Sequence, residues 1–365
     1  MQFSILKSTS LDSKRWQTYF DKLSSDQKDL HYLPQYANIY CDTYGYDAYL
    51  AVGEYKEKIL IQPFILKPIN NLPFLNFDQS NIFEAANAYG FGGPLIISPM
   101  GDDHVNIVEF ENRLSEFLLS KNVVTEFILC HPLLKNHTLI NHLDSLNQEK
   151  NVVVVNLNLS KEQITKQFNR GTRSKINHAH NAGVTIDPIE LNAKNIDIFQ
   201  KLYYQTMKRN QADSKWNFPQ TYFTNCVKYL GEDKVSLLFA HLDNKVIAAY
   251  FLIHAYSIAY YHFGASDERF FNTRATSLLM AESIFYLRSK GFKNYHLGGG
   301  VTGNPKDSLL QFKLGFTKTT APLFSYHRVI NQELYEQLNL AKFKYEQDNH
   351  LEIVNPNYFP LYKRR

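Results

Sequence analysis

The stretch from Tyr260 to Phe316 constrains the fold more than any other part of the chain. It places an aromatic strand, YYHFGAS, before a polar turn, an apolar helical run, a short strand ending in Gly298-Gly299-Gly300, and a second helix that carries Gln311-Phe312-Lys313. Three β-branched and aromatic runs lead into it, Val235–Leu242, Val246–His254 and Ile258–Phe263, with Asp243-Asn244 at the first turn. Antiparallel strands that feed a strand-helix-strand crossover predict a mixed sheet flanked by helices, an α+β fold. The order also describes a site, because glycines let a ligand approach backbone amides and Lys313 supplies positive charge beside them. The run from Val246 to Phe263 is apolar enough to suggest a membrane span, but it contains His254, Ser257 and His262. A span wants roughly 20 apolar residues, so consecutive strands are the better explanation and no integral membrane contact is expected.

At 365 residues the chain suits two domains of roughly 100 to 200 residues each. A hydrophobic content of 44% with only 20% charged residues provides material for two cores. The net charge of +4 is too mild for duplex DNA binding and compatible with a basic pocket for an anionic ligand. Cys41, Cys130 and Cys226 form no C-x-x-C pair, which suggests reduced thiols and no metal site. The first residues lack an apolar signal core, so a cytoplasmic location is expected.

A helix is predicted from Ser10 to Leu23 and another opening at Pro34, followed by strands at Tyr46–Gly53 and Lys58–Leu66. A long proline- and glycine-punctuated connection follows, in which Tyr89, Gly90, Gly92 and Gly93 either line a site or make a simple turn before a strand at Pro94–Ile97. Asp102 and Asp103 precede a helix to about Ser120, and strands at Val123–Cys130 and Val152–Leu157 complete a first domain. Ser160 with Gln163 fits a capping box. The boundary is placed there, giving domains 1–159 and 160–346 with a tail, 347–365, that packs back on the first.

Gly298 to Gly303 matches G-x-G-x-x-G, but Asn304-Pro305 intervenes before a helix can start and no acidic residue follows at the ribose-binding distance. A glycine loop that lets substrate pass close to the backbone explains it better. No G-x-S-x-G, Walker-type or H-E-x-x-H pattern occurs. His178 and His180 diverge on a predicted helix and are expected to be solvated. Arg170, Arg173 and Lys175 gather near a helix start, where guanidinium forks suit phosphate or carboxylate; a merely solvated basic face is the alternative, as it is for Lys208 and Arg209.

Several segments together carry a resemblance. LPQYANIY, AYGFGGPLI, the R-x-x-R-S-K-I-N helix, YYHFGAS, the helix leading to Gly291-Phe292-Lys293, SLLQFKLGF and the terminal YFPLYKRR follow one another in order across most of the chain. In this the chain resembles the FemAB/FemX-like branch of the GCN5-related N-acetyltransferase (GNAT) superfamily. The resemblance implies two tandem GNAT-like domains and transfer of acyl or aminoacyl groups. It implies Lys313 at the reaction centre, Phe312 shaping the channel, and Arg173, Lys175, Thr206, Arg209 and Tyr261 as acceptor contacts; the glycine loop at Gly298 and Gly299 and the long connection at Tyr89 add candidate substrate contacts read from the residues themselves. FNTRAT at Phe271–Thr276 stands where a CoA user carries Q/R-x-x-G-x-G/A, which makes Asn272 and Arg274 the expected donor contacts. No charged heptad segment marks the helical-hairpin arm of the family's aminoacyl-tRNA users. For the proton acceptor the candidates are Asp267, Glu268 and a water-mediated route through His262.

Three functions are compatible with these residues. One is an N-acyltransferase acting on an amine of a cell-envelope or polysaccharide precursor, such as a nucleotide-linked amino sugar or peptide. The second is an aminoacyl-tRNA-dependent transferase that forms peptidoglycan bridges. The third is a non-catalytic precursor-binding protein of the same fold. Acyl-CoA or aminoacyl-tRNA would be a co-substrate, with no permanently bound cofactor.

Overall fold

Local chemistry accounts for where most elements begin. The computed structural model describes residues 1–9, 11–69, 72–75, 81–98 and 106–364. In chain order these hold β1 (Gln2–Lys7), α1 (Asp12–Asp21), α2 (Pro34–Tyr44), β2 (Asp47–Tyr55), β3 (Lys58–Pro68), β4 (Phe83–Ala86), β5 (Leu95–Ile97), α3 (Ile107–Ser120), β6 (Val123–Leu129) and β7 (Asn147–Asn156). Then come α4 (Lys161–Gln167), α5 (Arg170–Asn181), β8 (Thr185–Ile189), α6 (Ala193–Arg209), α7 (Gln220–Leu230), β9 (Val235–Leu242), β10 (Lys245–Ala255) and β11 (Ile258–Ser266). The remainder is α8 (Ala275–Ser289), β12 (Asn294–Gly298), α9 (Ser308–Leu314), β13 (Thr320–Val329) and α10 (Gln332–Asp348). Ser160 and Gln163 form the reciprocal capping box of α4, and Asn169, Asn192 and Asp307 accept amides at the starts of α5, α6 and α9. Asp243 and Asn244 both adopt positive φ, which closes the β9–β10 hairpin with a turn that matches strand twist. Asp102 and Asp103 lie outside the described residues.

The chain divides into two compact units that are interleaved in sequence: Met1–Leu23, Tyr44–Gln148 and Phe324–Arg365 form the first, Ser24–Thr43 and Glu149–Leu323 the second. The division differs from the sequential boundary expected at 159/160. Part of the reason is side-chain anchoring of the α2 segment within the second unit. Tyr40 meets the hydroxyl of Tyr222 at 3.2 Å, Asn225 donates to Thr43 at 3.0 Å, and Lys228 pairs with Asp42 at 2.7 Å.

In the first unit the strands run β1-β2-β3-β4-β6, with β13 from Phe324 onward beside β6 and β5 paired to β3. Phe110, Leu114 and Leu118 of α3 pack on Ala51, Leu60, Phe64 and Leu66. Its interior also holds Glu126, fully buried, which pairs with Arg328 at 2.6 Å and accepts from Gln62 at 3.0 Å. The C-terminal residues are tied down here: Tyr362 donates to Glu84, Lys363 pairs with Glu84 and Arg364 with Glu346.

In the second unit the order is β7-β12-β11-β10-β9-β8, antiparallel throughout except for the β11–β12 pair. The hydrophobic run that could suggest a span is thus two neighbouring strands, and no helix among the described residues is long and apolar enough to cross a membrane. Helix α8 is buried nearly all round, with Leu278, Leu279, Ile284 and Leu287 against Leu238, Tyr250, Leu252, Phe168 and Ala179. Each such aliphatic side chain contributes roughly 1.5–3 kcal/mol through burial, which makes α8 the rigid element behind the sheet.

Candidate functional site

In the second unit the strand β12 ends at Gly298, whose φ of +76° turns the chain into the glycine loop. A Cβ there would sit 3.3 Å from Nζ of Lys313, so the loop passes directly over that side chain. Asp307 caps α9 by accepting from Leu310 at 3.0 Å, and its other oxygen takes the amides of Val301 and Thr302 at 3.1 and 3.0 Å. These backbone bonds hold the Asp307 carboxyl down at about 2. Loop amides that a phosphate would need are therefore engaged by the protein's own carboxylate, the physical reason this G-x-G-x-x-G is no dinucleotide cradle.

The capped helix delivers Lys313 into the interior. Only 4% of Lys313 is exposed, and its Nζ donates to the carbonyl of Gly299 at 2.7 Å. Lys150 donates to the next carbonyl, Gly300, at 3.0 Å. Desolvation, reinforced by the Lys150 charge and opposed by Asp307, brings Lys313 down to about 7 from its ordinary 10.5. The Tyr261 ring lies 5.4 Å from Nζ and packs edge-on against Tyr250 at 4.7 Å. Gly264 is required by that ring, since a Cβ would fall 1.8 Å from the Tyr261 hydroxyl. Phe312 is half-buried and meets Phe316 edge-on. Lys313, Tyr261, Gly298 and Gly299 are brought together as expected, with Phe312 on the same helix turn.

Beside this centre the sheet opens. β11 pairs with β12 only at Ile258–Asn294, Ala259–Tyr295 and Tyr260–His296, after which the strands are no longer paired. At the same level the β10–β11 register jumps from Phe251–Phe263 to Leu252–Tyr261, which leaves His262 as a bulged residue. Bulges re-aim side chains and recur next to active sites.

Thr206 and Arg209 form a second group at the end of β11. Thr206 accepts from the Ser266 amide at 3.0 Å, Arg209 donates to the Ser266 carbonyl at 2.9 Å, and its guanidinium stacks 4.8 Å from the exposed ring of Phe271. Asn272 and Arg274 follow immediately and are exposed. Arg274 has a φ of +59° and precedes α8, whose N-terminus has no side-chain cap.

On α5, Arg173 is exposed but donates to the Phe168 carbonyl at 2.8 Å, and Lys175, His178 and His180 are exposed. Tyr89 belongs to the first unit, half-buried on a loop where Asn87 and Asn136 bind the carbonyls of Gly90 and Gly92; burial pushes its phenol up to about 12. Of the acids considered as bases, Asp267 is gripped by Arg269 at 2.6 and 3.0 Å, and that bond holds its carboxyl below the usual range. Glu268 is exposed.

A polar cluster in the interior of the second unit went unread in the sequence. Asp29 is fully buried, binds Nδ1 of His31 at 2.6 Å and accepts from Tyr260 at 2.5 Å. Nε2 of His262 lies 2.8 Å from the Tyr222 hydroxyl, which in turn meets Tyr40. The only local signal was LPQYANIY. Nothing in the spacing of Asp29 and Tyr260, 231 residues apart, could join them.

Residues 166–313 match the family model described as acetyltransferase (GNAT) domain. No curated protein matches the chain in sequence. Among solved structures it is similar to FemX at 16% identity and a TM-score of 0.68, covering 92% of this chain and 99% of that one. It is also similar to a conserved protein of unknown function from Bacteroides thetaiotaomicron, at 11% identity and a TM-score of 0.55, over 88% of this chain and 99% of the other. A tandem GNAT protein from the clavulanic acid biosynthesis pathway matches at 8% identity and a TM-score of 0.54, over 90% and 99%. At these identities the likeness is one of fold, and the fold is that of tandem, FemX-like GNAT proteins.

Proposed function

We propose that this FemX-like GNAT chain is an N-acyltransferase that moves an acyl group from acyl-CoA to an amine of a cell-envelope or polysaccharide precursor, such as a nucleotide-linked amino sugar or peptide. The observation that carries the reading is Lys313, a buried amine beside a glycine loop at the mouth of a strand divergence, with no carboxylate bound to it among the described contacts. A protein gains no stability from such a group, and a site that must stabilise negative charge does.

The neutral acceptor amine attacks the thioester carbonyl, the C–N bond forms, and negative charge develops on the carbonyl oxygen. As an ammonium in a dry setting, Lys313 stabilises that charge. Brought down to about 7, it is also acidic enough to give a proton to the departing thiolate, whose conjugate acid lies near 8.5. Tyr261 and Phe312 supply apolar walls that keep water out. Arg209 and Arg274, cationic and near an uncapped helix start, suit the phosphates of the donor or of a nucleotide-linked acceptor. The GNAT domain match supports CoA as the donor class.

Calorimetric titration with acetyl-CoA at moderate salt tests the donor. Saturable binding that weakens in Arg274→Ala is expected, followed by thiol release when a nucleotide-linked amino sugar is added. Absence of heat, with transfer that needs charged tRNA and disappears on ribonuclease treatment, would replace CoA by aminoacyl-tRNA.

A further inference from the structure

We infer that His262 is the proton acceptor for the incoming amine, an assignment that rests on the acyl-transfer reading above. A protonated amine cannot attack a carbonyl, so the reaction needs a group that is neutral at working pH and sits where the acceptor enters. Asp267 is committed to Arg269, and Glu268 is exposed on the turn after β11, beyond the level where β11 and β12 part.

His262 meets the requirement by position. It follows Tyr261, the residue facing Lys313, and it is the bulged residue at the level where β11 and β12 cease to pair. The gap thus opens at Tyr261, whose ring faces Lys313, while the imidazole of the next residue lies against Tyr222 and Phe263. His262 is 8% exposed, so an acceptor amine reaches it through the opening where β11 and β12 cease to pair.

Its surroundings keep it neutral, and a hydrogen-bonding partner is in place for the proton it receives. Desolvation, reinforced by His31, lowers its basicity well below the ordinary 6.5. The groups around it are Tyr222 of α7, Tyr40 of α2, the Asp29–His31 pair of the preceding turn, and Tyr260, which binds Asp29 and packs against His296 of β12. Tyr222 is pushed well above 10 by burial and stays a phenol. A phenol is both donor and acceptor, so it can donate to neutral Nε2 and, after rotation of its hydroxyl toward Tyr40, accept from the imidazolium. The charge formed on His262 is thereby hydrogen-bonded inside a dry interior, where an unbonded one would be costly.

The balance is closed as follows. One proton of the ammonium goes to His262; the resulting amine forms the C–N bond and the C–S bond breaks. Lys313 protonates the thiolate and recovers the second amine proton, so amide, free thiol and protonated His262 are the products. Exchange with solvent resets His262.

The test follows thiol release from acetyl-CoA with a UDP-linked amino sugar that carries a free amine, from pH 6 to 10, in wild type, His262→Gln and Tyr222→Phe. At pH 7 His262→Gln is expected to lose kcat/KM by roughly 10²–10⁴-fold, and its ratio to wild type at the same pH, in which the titration of Lys313 cancels, is expected to narrow as pH rises toward the acceptor's own pKa, where the amine is neutral unaided. Tyr222→Phe keeps the imidazole, so about a tenfold loss in kcat with little change in KM is expected, of the size of one hydrogen bond to a charged group. Unchanged activity in His262→Gln, or a loss equal at every pH, would overturn the assignment while leaving the transfer reading standing. A wild-type protein that transfers nothing would overturn both.

Discussion

Two buried ionisable groups, Glu126 in the first unit and Lys313 in the second, are treated in opposite ways. In the first, Glu126 is fully buried but pairs with Arg328 and accepts from Gln62, and Arg328 also donates to Ser115. In the second, Lys313 is also buried, yet among the described residues its amine donates to a backbone carbonyl and faces the Tyr261 ring, with no carboxylate paired to it and the Lys150 charge acting against its own. A buried ion that is paired and hydrogen-bonded belongs to the architecture; one that is not is maintained against its own desolvation cost. The difference singles out Lys313 as a buried amine with no carboxylate partner among the described residues.

The comparison can be broken in several ways. The largest effect is expected from Arg328→Met, which strands the Glu126 carboxylate and should cost about 3–5 kcal/mol in urea unfolding. Lys313→Met should lower kcat/KM for acyl transfer by about 10²–10³-fold, the scale set by removing one oxyanion-stabilising donor. The same Lys313→Met substitution should raise stability by on the order of 1–3 kcal/mol at neutral pH, the reverse sign of Arg328→Met. The sign follows from linkage: the folded lysine sits at about 7 and the unfolded one at 10.5, so the wild type is penalised fully below pH 7. The penalty fades as pH rises toward 10.5, and the gap between wild type and variant should close over that window.

Asp307→Ala removes the α9 cap and the ligand of two loop amides, and a loss of roughly 0.5–2 kcal/mol is expected. Because that carboxyl is depressed to about 2, its contribution is present above its ordinary 3.8 and should disappear as pH falls toward 2. The smallest effect belongs to His178→Ala and His180→Ala on the exposed face of α5, within about 0.5 kcal/mol of wild type.

Much of the second unit was legible because its signals are local. Strands β9 to β11 and the Ser160 capping box came from period, turn residues and caps, and the structure places them at nearly the expected bounds, with helices α8 and α9 in the expected order after them. Lys313, Tyr261 and the glycines were legible because strand, loop and helix are consecutive. Interleaving was not. That residues 24–43 count with the second unit depends on Tyr40–Tyr222 and Asp29–Tyr260, pairings between side chains 182 and 231 positions apart. Helix α10 was missed for a different reason, since a run rich in charged and polar residues with few buried positions, Leu338, Asn339 and Glu346, carries a weak apolar period. The commitment of Asp267 to Arg269, two residues away, was local and still not foreseen, because either partner had other neighbours of opposite charge.

Titration of Lys313 itself is the most direct measurement. With ¹³C-labelled lysine, its Cε resonance, assigned by its disappearance in Lys313→Met, should move with a midpoint near 7. A midpoint near the ordinary 10.5 would show a solvated or compensated ammonium, and the contrast between the two units would fall with it.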